Sequence, residues 1–143
     1  MRPRWIVCED GDEYLSRFRR FLGGEFDFVA AGDFETALRC ATGAAGIILD
    51  LDFRRTHGAL LVDESGSSHA RLPPGERQRL AEMQGVLILR ALRRRGVPLP
   101  AVLCADVDDA AQVRRLEDEL RPLEVVAGSE SVARIGERLR QRG

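Results

Sequence analysis

Five short apolar runs, RWIVC (4–8), FDFVA (26–30), AGIILD (45–50), PAVLCA (100–105) and LEVVA (123–127), are each followed by residues of helical character, and this alternation constrains the fold most. Leu15, Phe18 and Leu22 share one helical face, and Gly23-Gly24 ends that stretch. Asp33 offers an N-cap ahead of a second stripe of Phe34, Ala37, Leu38 and Ala41. A third helix is expected over 76–96, broken near Gly85, and Val113, Leu116 and Leu120 mark a fourth. Val132, Ile135 and Leu139 mark the closing one. The run at 45–50 is apolar throughout, as suits a strand covered on both faces. Strands alternating with helices in this way imply a parallel sheet with helices on both sides. With 143 residues, no internal repeat and no dividing linker, the expectation is a single domain over 1–143.

The rhythm breaks after the third run. Residues 54–75 are polar, rich in Gly, Ser and Pro, and aperiodic apart from the short apolar ALLV. Pro73-Pro74 suits the start of the next helix, because proline is tolerated in a first turn. The expectation is therefore an insertion at about 54–80 that is partly ordered by burying ALLV.

Composition removes several classes of function. No apolar stretch is long enough to span a bilayer, and MRPRWIVCEDGDE turns acidic after four apolar residues, so neither a membrane span nor a signal peptide is expected. That points to a cytoplasmic protein. Cys8, Cys40 and Cys104 are scattered without metal or disulfide spacing and read as small buried hydrophobes. A net charge of −1 gives no general attraction to nucleic acid or anionic lipid, so neither is expected as a partner. All 22 basic residues are arginine, so chemistry that needs a lysine ammonium requires a substitute or another chain.

In open α/β sheets, chemistry gathers at the carboxyl ends of the strands, where strand order reverses. Those ends here are Glu9-Asp10 after the first run, Asp50 after the third, Cys104 after the fourth and Gly128-Ser129 after the fifth. If the first and third strands are neighbours, Glu9, Asp10 and Asp50 converge on one pocket, where a hard divalent cation would relieve their repulsion.

The chain resembles the receiver domains of bacterial two-component response regulators over nearly its whole length, apart from the excursion at 54–80. WIVCEDGDEYLSRFRRFL is similar to the family's opening strand, acidic pair and first helix, and VAAGDFETALRCA to its second strand exit and second helix. IILDLDF resembles the phosphoacceptor strand, and MQGVLILRALRRRGVPLPAVLCAD the third helix and fourth strand. The resemblance implies a flavodoxin-like (βα)5 sheet of order 2-1-3-4-5, with Asp50 as phosphoacceptor. It implies Mg²⁺ held by Asp10, by Glu9 through water, by Asp50 and by the backbone carbonyl of Asp52. That metal would neutralise the attacking carboxylate and the incoming phosphoryl oxygens. A histidine kinase or phosphotransfer protein, a downstream protein and a second copy of the chain are the expected partners. Output is expected through another chain or a region beyond these 143 residues.

The departures from the family are as specific as the matches. Cys104, a poor donor, stands where receivers carry Ser or Thr. Gly128 stands in the place of the family's lysine, Ser129 in that of its proline, and Val125 in that of its switch aromatic. Arg54 and Arg55 are the cations closest along the chain, but a planar guanidinium fork is not a point ammonium. The acid half of the pocket is kept and the phosphate-reading half is lost, which favours a non-standard output with or without modification of Asp50. The insertion, leaving directly after Asp52, is expected to restrict access to Asp50 or to present a partner surface.

ILDLDFRRT also resembles the first motif of haloacid-dehalogenase-type phosphatases, with Asp50 as nucleophile and Asp52 as general acid. Two βα units precede it, Phe53-Arg54 replaces the usual Gly-Thr, and the lysine that family needs is absent, so no enzymatic activity is expected. His57 and His69 flank Asp63-Glu64 without an established ligand spacing and read as exposed loop residues. The arginines at 93–95 suit a helix C-terminus facing solvent.

Overall fold

The computed structural model describes residues 1–69 and 71–142. Five parallel strands, β1 (Arg4–Cys8), β2 (Asp27–Ala31), β3 (Gly46–Asp50), β4 (Ala101–Cys104) and β5 (Leu123–Val126), form one sheet of order β2-β1-β3-β4-β5. The helices are α1 (Glu13–Leu22), α2 (Phe34–Cys40), α3 (Pro74–Glu82), α4 (Gln84–Arg94), α5 (Ala110–Glu119) and α6 (Val132–Arg142). The arrangement is flavodoxin-like, with one more helix than five βα units require.

Alternation along the central strands divides the core into two layers. Trp5, Val7, Ile48 and Val102 face Leu15, Phe18 and Leu22 of α1 and Ile135 and Leu139 of α6. Ile6, Cys8, Ile47 and Leu49 face Phe34 and Ala37 of α2, Ile88, Leu89 and Leu92 of α4, and Leu116 of α5. Asp33 caps α2, accepting the Thr36 N–H at 2.8 Å, as its place before the stripe suggests. No helix among the described residues is long and apolar enough to cross a membrane.

The helix expected over 76–96 is two helices, and the break falls at Met83 rather than Gly85. Met83 leaves helical geometry at φ −114° and ψ 12°. Gly85 instead lies in the first turn of α4, tight against the exit of β3, its N–H donating to Leu51 O at 3.0 Å. Upstream, α3 begins at Pro74 and belongs to the insertion.

The insertion is built around Leu61 and Val62, both buried. A short 3₁₀ turn at Gly58–Leu60 leads into them, and Val62 bridges antiparallel to Ser68. Gln84 pins the segment from below. Its Oε1 accepts the Val62 N–H at 2.9 Å, and its Nε2 donates to Val62 O at 3.0 Å and Leu80 O at 3.1 Å. Gln84 is 1% exposed, so this satisfaction of a buried amide orders the loop.

Candidate functional site

Cys8 pairs with Leu49 across β1 and β3, so the next residues along each strand, Glu9 and Asp50, leave the sheet side by side. Asp50 is also the partner of Cys104 across β3 and β4. The strand ends therefore sit where the chain order reverses, but each carboxylate takes a different partner.

Glu9 is buried and turns back onto α1. Its Oε1 accepts the Tyr14 N–H at 3.2 Å and its Oε2 the Leu15 N–H at 2.9 Å. These are first-turn amides that Asp12, at the N-cap, leaves without a side-chain acceptor. Burial still pushes the Glu9 carboxyl above its usual range, against the lowering effect of both amides.

Asp10 faces the insertion. Arg55 donates its backbone N–H to Oδ2 at 2.9 Å and its Nη2 to Oδ1 at 3.1 Å. The same guanidinium holds Glu13 at 2.8 and 3.1 Å, and this bonding holds the Glu13 carboxyl down to about 2.

Asp50 is half-buried, with Oδ1 accepting the N–H of Leu51 at 2.9 Å. Burial raises its pKa, the Leu51 amide opposes that, and the charges of Asp10, Asp52 and Glu13 raise it further. Asp52 lies two residues beyond β3, its carboxylate taken by the N–H, Nε and Nη2 of Arg54 at 2.9, 3.0 and 2.5 Å.

On the far side, Cys104 is buried and its thiol is pushed up to about 12, by burial first and then by Asp50. The Val125 N–H donates to Glu117 Oε2 at 3.0 Å. Gly128 donates its N–H to Asp106 Oδ1 at 3.0 Å and accepts the Tyr14 hydroxyl at 3.4 Å. The Tyr14 hydroxyl is itself pushed up to about 12, chiefly by burial.

No family model and no curated protein matches this sequence. Solved structures do match. A receiver domain of a Francisella response regulator aligns at a TM-score of 0.67 and 14% identity, over 98% of this chain and 95% of that one. The chemotaxis protein CheY4 of Vibrio cholerae aligns at 0.67 and 11% identity over the full length of both. A BeF3-activated N-terminal receiver domain of RstA from Klebsiella pneumoniae aligns at 0.63 and 17%, over 97% of each. This chain has the receiver fold.

Within a receiver fold, Glu9, Asp10, Asp50 and the Asp52 carbonyl were expected to form a Mg²⁺ site. As arranged, they do not fit a divalent cation. Both oxygens of Glu9 already accept amides of α1, and both oxygens of Asp10 accept N–H groups of Arg55. Among the described residues no group of three His, Cys, Asp or Glu is set to hold a metal. The physical reason is that backbone amides and a guanidinium already take the oxygens of Glu9 and Asp10 that a cation was expected to use, while the repulsion at Asp50 remains.

Sequence reasoning missed Tyr14, the chain's one tyrosine, which reaches Gly128 across 114 residues from just behind the acidic pair. Its signal was a polar aromatic in the first turn of α1. It also missed Gln84, whose cue was an uncharged polar residue directly ahead of the apolar run GVLIL. His69 meets Asp63 at 2.9 Å in the insertion, where Asp63 also accepts the Ser65 hydroxyl and the Ser65 and Ser67 amides, which together hold its carboxyl below the usual range.

Proposed function

We propose that this chain is an atypical receiver of two-component-type signalling in the cytoplasm, acting chiefly as a phosphorylation-independent protein-interaction module. The observation that carries this reading is the state of Asp50. It stands at the phosphoacceptor position, but with a buried thiol at Cys104 and a side-chain-free Gly128 where a hydroxyl and an ammonium would read a phosphoryl group. Asp50 remains the candidate phosphoacceptor, and a histidine kinase or phosphotransfer protein the candidate donor. In this reading such a donor is recognised more than it is used. The downstream partner is a protein, engaged through the insertion or through the surface that Val125 and Gly128 no longer switch.

The phosphatase alternative is disfavoured by Asp52. A general acid there needs a free carboxyl group beside Asp50, whereas Arg54 binds that carboxylate with three N–H groups.

The test is incubation with acetyl phosphate, or with beryllofluoride and Mg²⁺, followed by intact mass and NMR. Asp50 is expected to remain largely unmodified, with little change at residues 104–107 and 125–129. Stoichiometric modification that spreads to those segments overturns the reading in favour of an ordinary phosphorylated receiver. Replacing residues 56–75 with a short Gly-Ser linker tests the insertion: unchanged phosphorylation, Mg²⁺ affinity and partner binding would remove it from the account.

A further inference from the structure

Two arginines follow β3, and their placement differs. Arg54 folds back on Asp52, two residues away, whereas Arg55 reaches Asp10 and Glu13 across more than 40 residues of chain. The Asp10 side chain is only 4% exposed. A carboxylate withdrawn this far from water needs an opposite charge or several donors, and Arg55 supplies both. Its planar fork also spans the two oxygens of Glu13, which a compact ammonium could not do in the same geometry. Gly11 makes room for this pair. A Cβ there would fall 2.6 Å from Arg55 Nη2 and would crowd Glu13 Oε2 equally, so a side chain at 11 and the ion pair exclude each other as placed.

We propose that Arg55 is a built-in counter-cation of the acid pocket, occupying Asp10 in place of a divalent metal and latching the insertion onto the first turn of α1. Metal and guanidinium compete for the same oxygens. Mg²⁺ demands near-octahedral oxygen ligands at about 2.0–2.1 Å and dehydrates reluctantly, and at Asp10 it meets both a guanidinium charge and an N–H already on each oxygen. A divalent cation therefore binds more tightly when Arg55 leaves, and the base of the insertion leaves with it. The inference rests on the receiver reading for which acids a metal would use. Its readout is metal binding itself, so whether Asp50 accepts a phosphoryl group does not bear on it.

The test titrates Mn²⁺ into the full chain, followed by water-proton relaxation, for the wild type, Arg55→Gln, Gly11→Ala and Arg55→Gln/Asp10→Asn. Circular dichroism checks that each is folded. Arg55→Gln is expected to bind Mn²⁺ at least about tenfold more tightly than the wild type, since a two-donor charged contact no longer opposes it. Gly11→Ala keeps every charge and is expected to shift affinity in the same direction, so it carries the test if Arg55→Gln does not fold. The double variant should lose the gain. Equal affinities in the wild type and the variants that fold overturn the proposal, as does a gain that survives Asp10→Asn.

Discussion

Gly85 is packed directly against the main chain of Asp50: its N–H bonds Leu51 O at 3.0 Å, and a methyl group built on its Cα would overlap the Asp50 carbonyl oxygen. The contact joins the first turn of α4 to the end of β3, where the candidate phosphoacceptor sits. Because the obstacle is backbone on both sides, no rotamer change can relieve it. Gly85→Ala should destabilise the fold by roughly 2–3 kcal/mol in urea unfolding and shift the Asp50 and Leu51 amide resonances. Wild-type stability with unmoved resonances would mean the approach is looser than described.

Gln84 acts on the insertion from the same turn. Gln84→Leu preserves much of the volume but leaves the Val62 N–H without its amide partner and Val62 O without its donor. Orphaning buried polar groups costs about 1–3 kcal/mol each, so a loss of about 2 kcal/mol, the lower end for two groups, is expected. Hydrogen exchange should quicken at Val62 first. Exchange that quickens equally across the sheet would show that Gln84 stabilises the whole domain and does not specifically hold the loop.

Glu9 and Asp50 both have raised carboxyl pKa values, chiefly through burial. In this window the folded state binds protons more readily than the unfolded chain, so their contribution to stability is full below the unfolded carboxyl pKa. It is lost as pH rises through the higher folded values. Asp50→Asn removes one of these charges, and an amide oxygen can still accept the Leu51 N–H. The variant should melt higher than the wild type at neutral pH, on the order of 2 °C after discounting for solvent screening, with the gain vanishing in acid. A gain that persists at low pH would point to packing and not to charge.

Glu13 works in the opposite direction. Its bonds to Arg55 hold it down to about 2, so its favourable contribution is present above the ordinary carboxyl pKa and is lost as pH falls towards that value. Fast hydrogen exchange at the Arg55 amide near pH 3, with the sheet still protected, would register the latch loosening before the fold does.

Gly128 is not in the left-handed region, and a Cβ there would lie in ordinary contact with Asp106, 3.5 Å from Oδ2. A lysine is therefore sterically admissible. Cys104→Thr with Gly128→Lys should speed modification of Asp50 by acetyl phosphate by about tenfold or more, as expected when donors are restored around a developing anion. No change in rate would show that the engaged acids, and not the missing readers, set the barrier.

The alternation of strands and helices, the cap at Asp33, the proline start of α3 and the acids ending β1 and β3 were legible in the sequence because each is a local matter of period, backbone preference or position within its own run. The missing lysine was legible because it is compositional. Strand order followed from the receiver resemblance, and the sheet has that order. The partner of each acid was not legible. Nothing local distinguishes Glu9, which caps α1, from Asp10, which takes Arg55 from 45 residues away. The choice depends on which N–H groups packing brings within 3 Å after the chain has left water. The same holds for Tyr14 on Gly128, whereas the break expected near Gly85 falls two residues earlier, at Met83. Periodicity specifies which face of an element is buried, whereas only the assembled interior decides which polar group answers each buried charge.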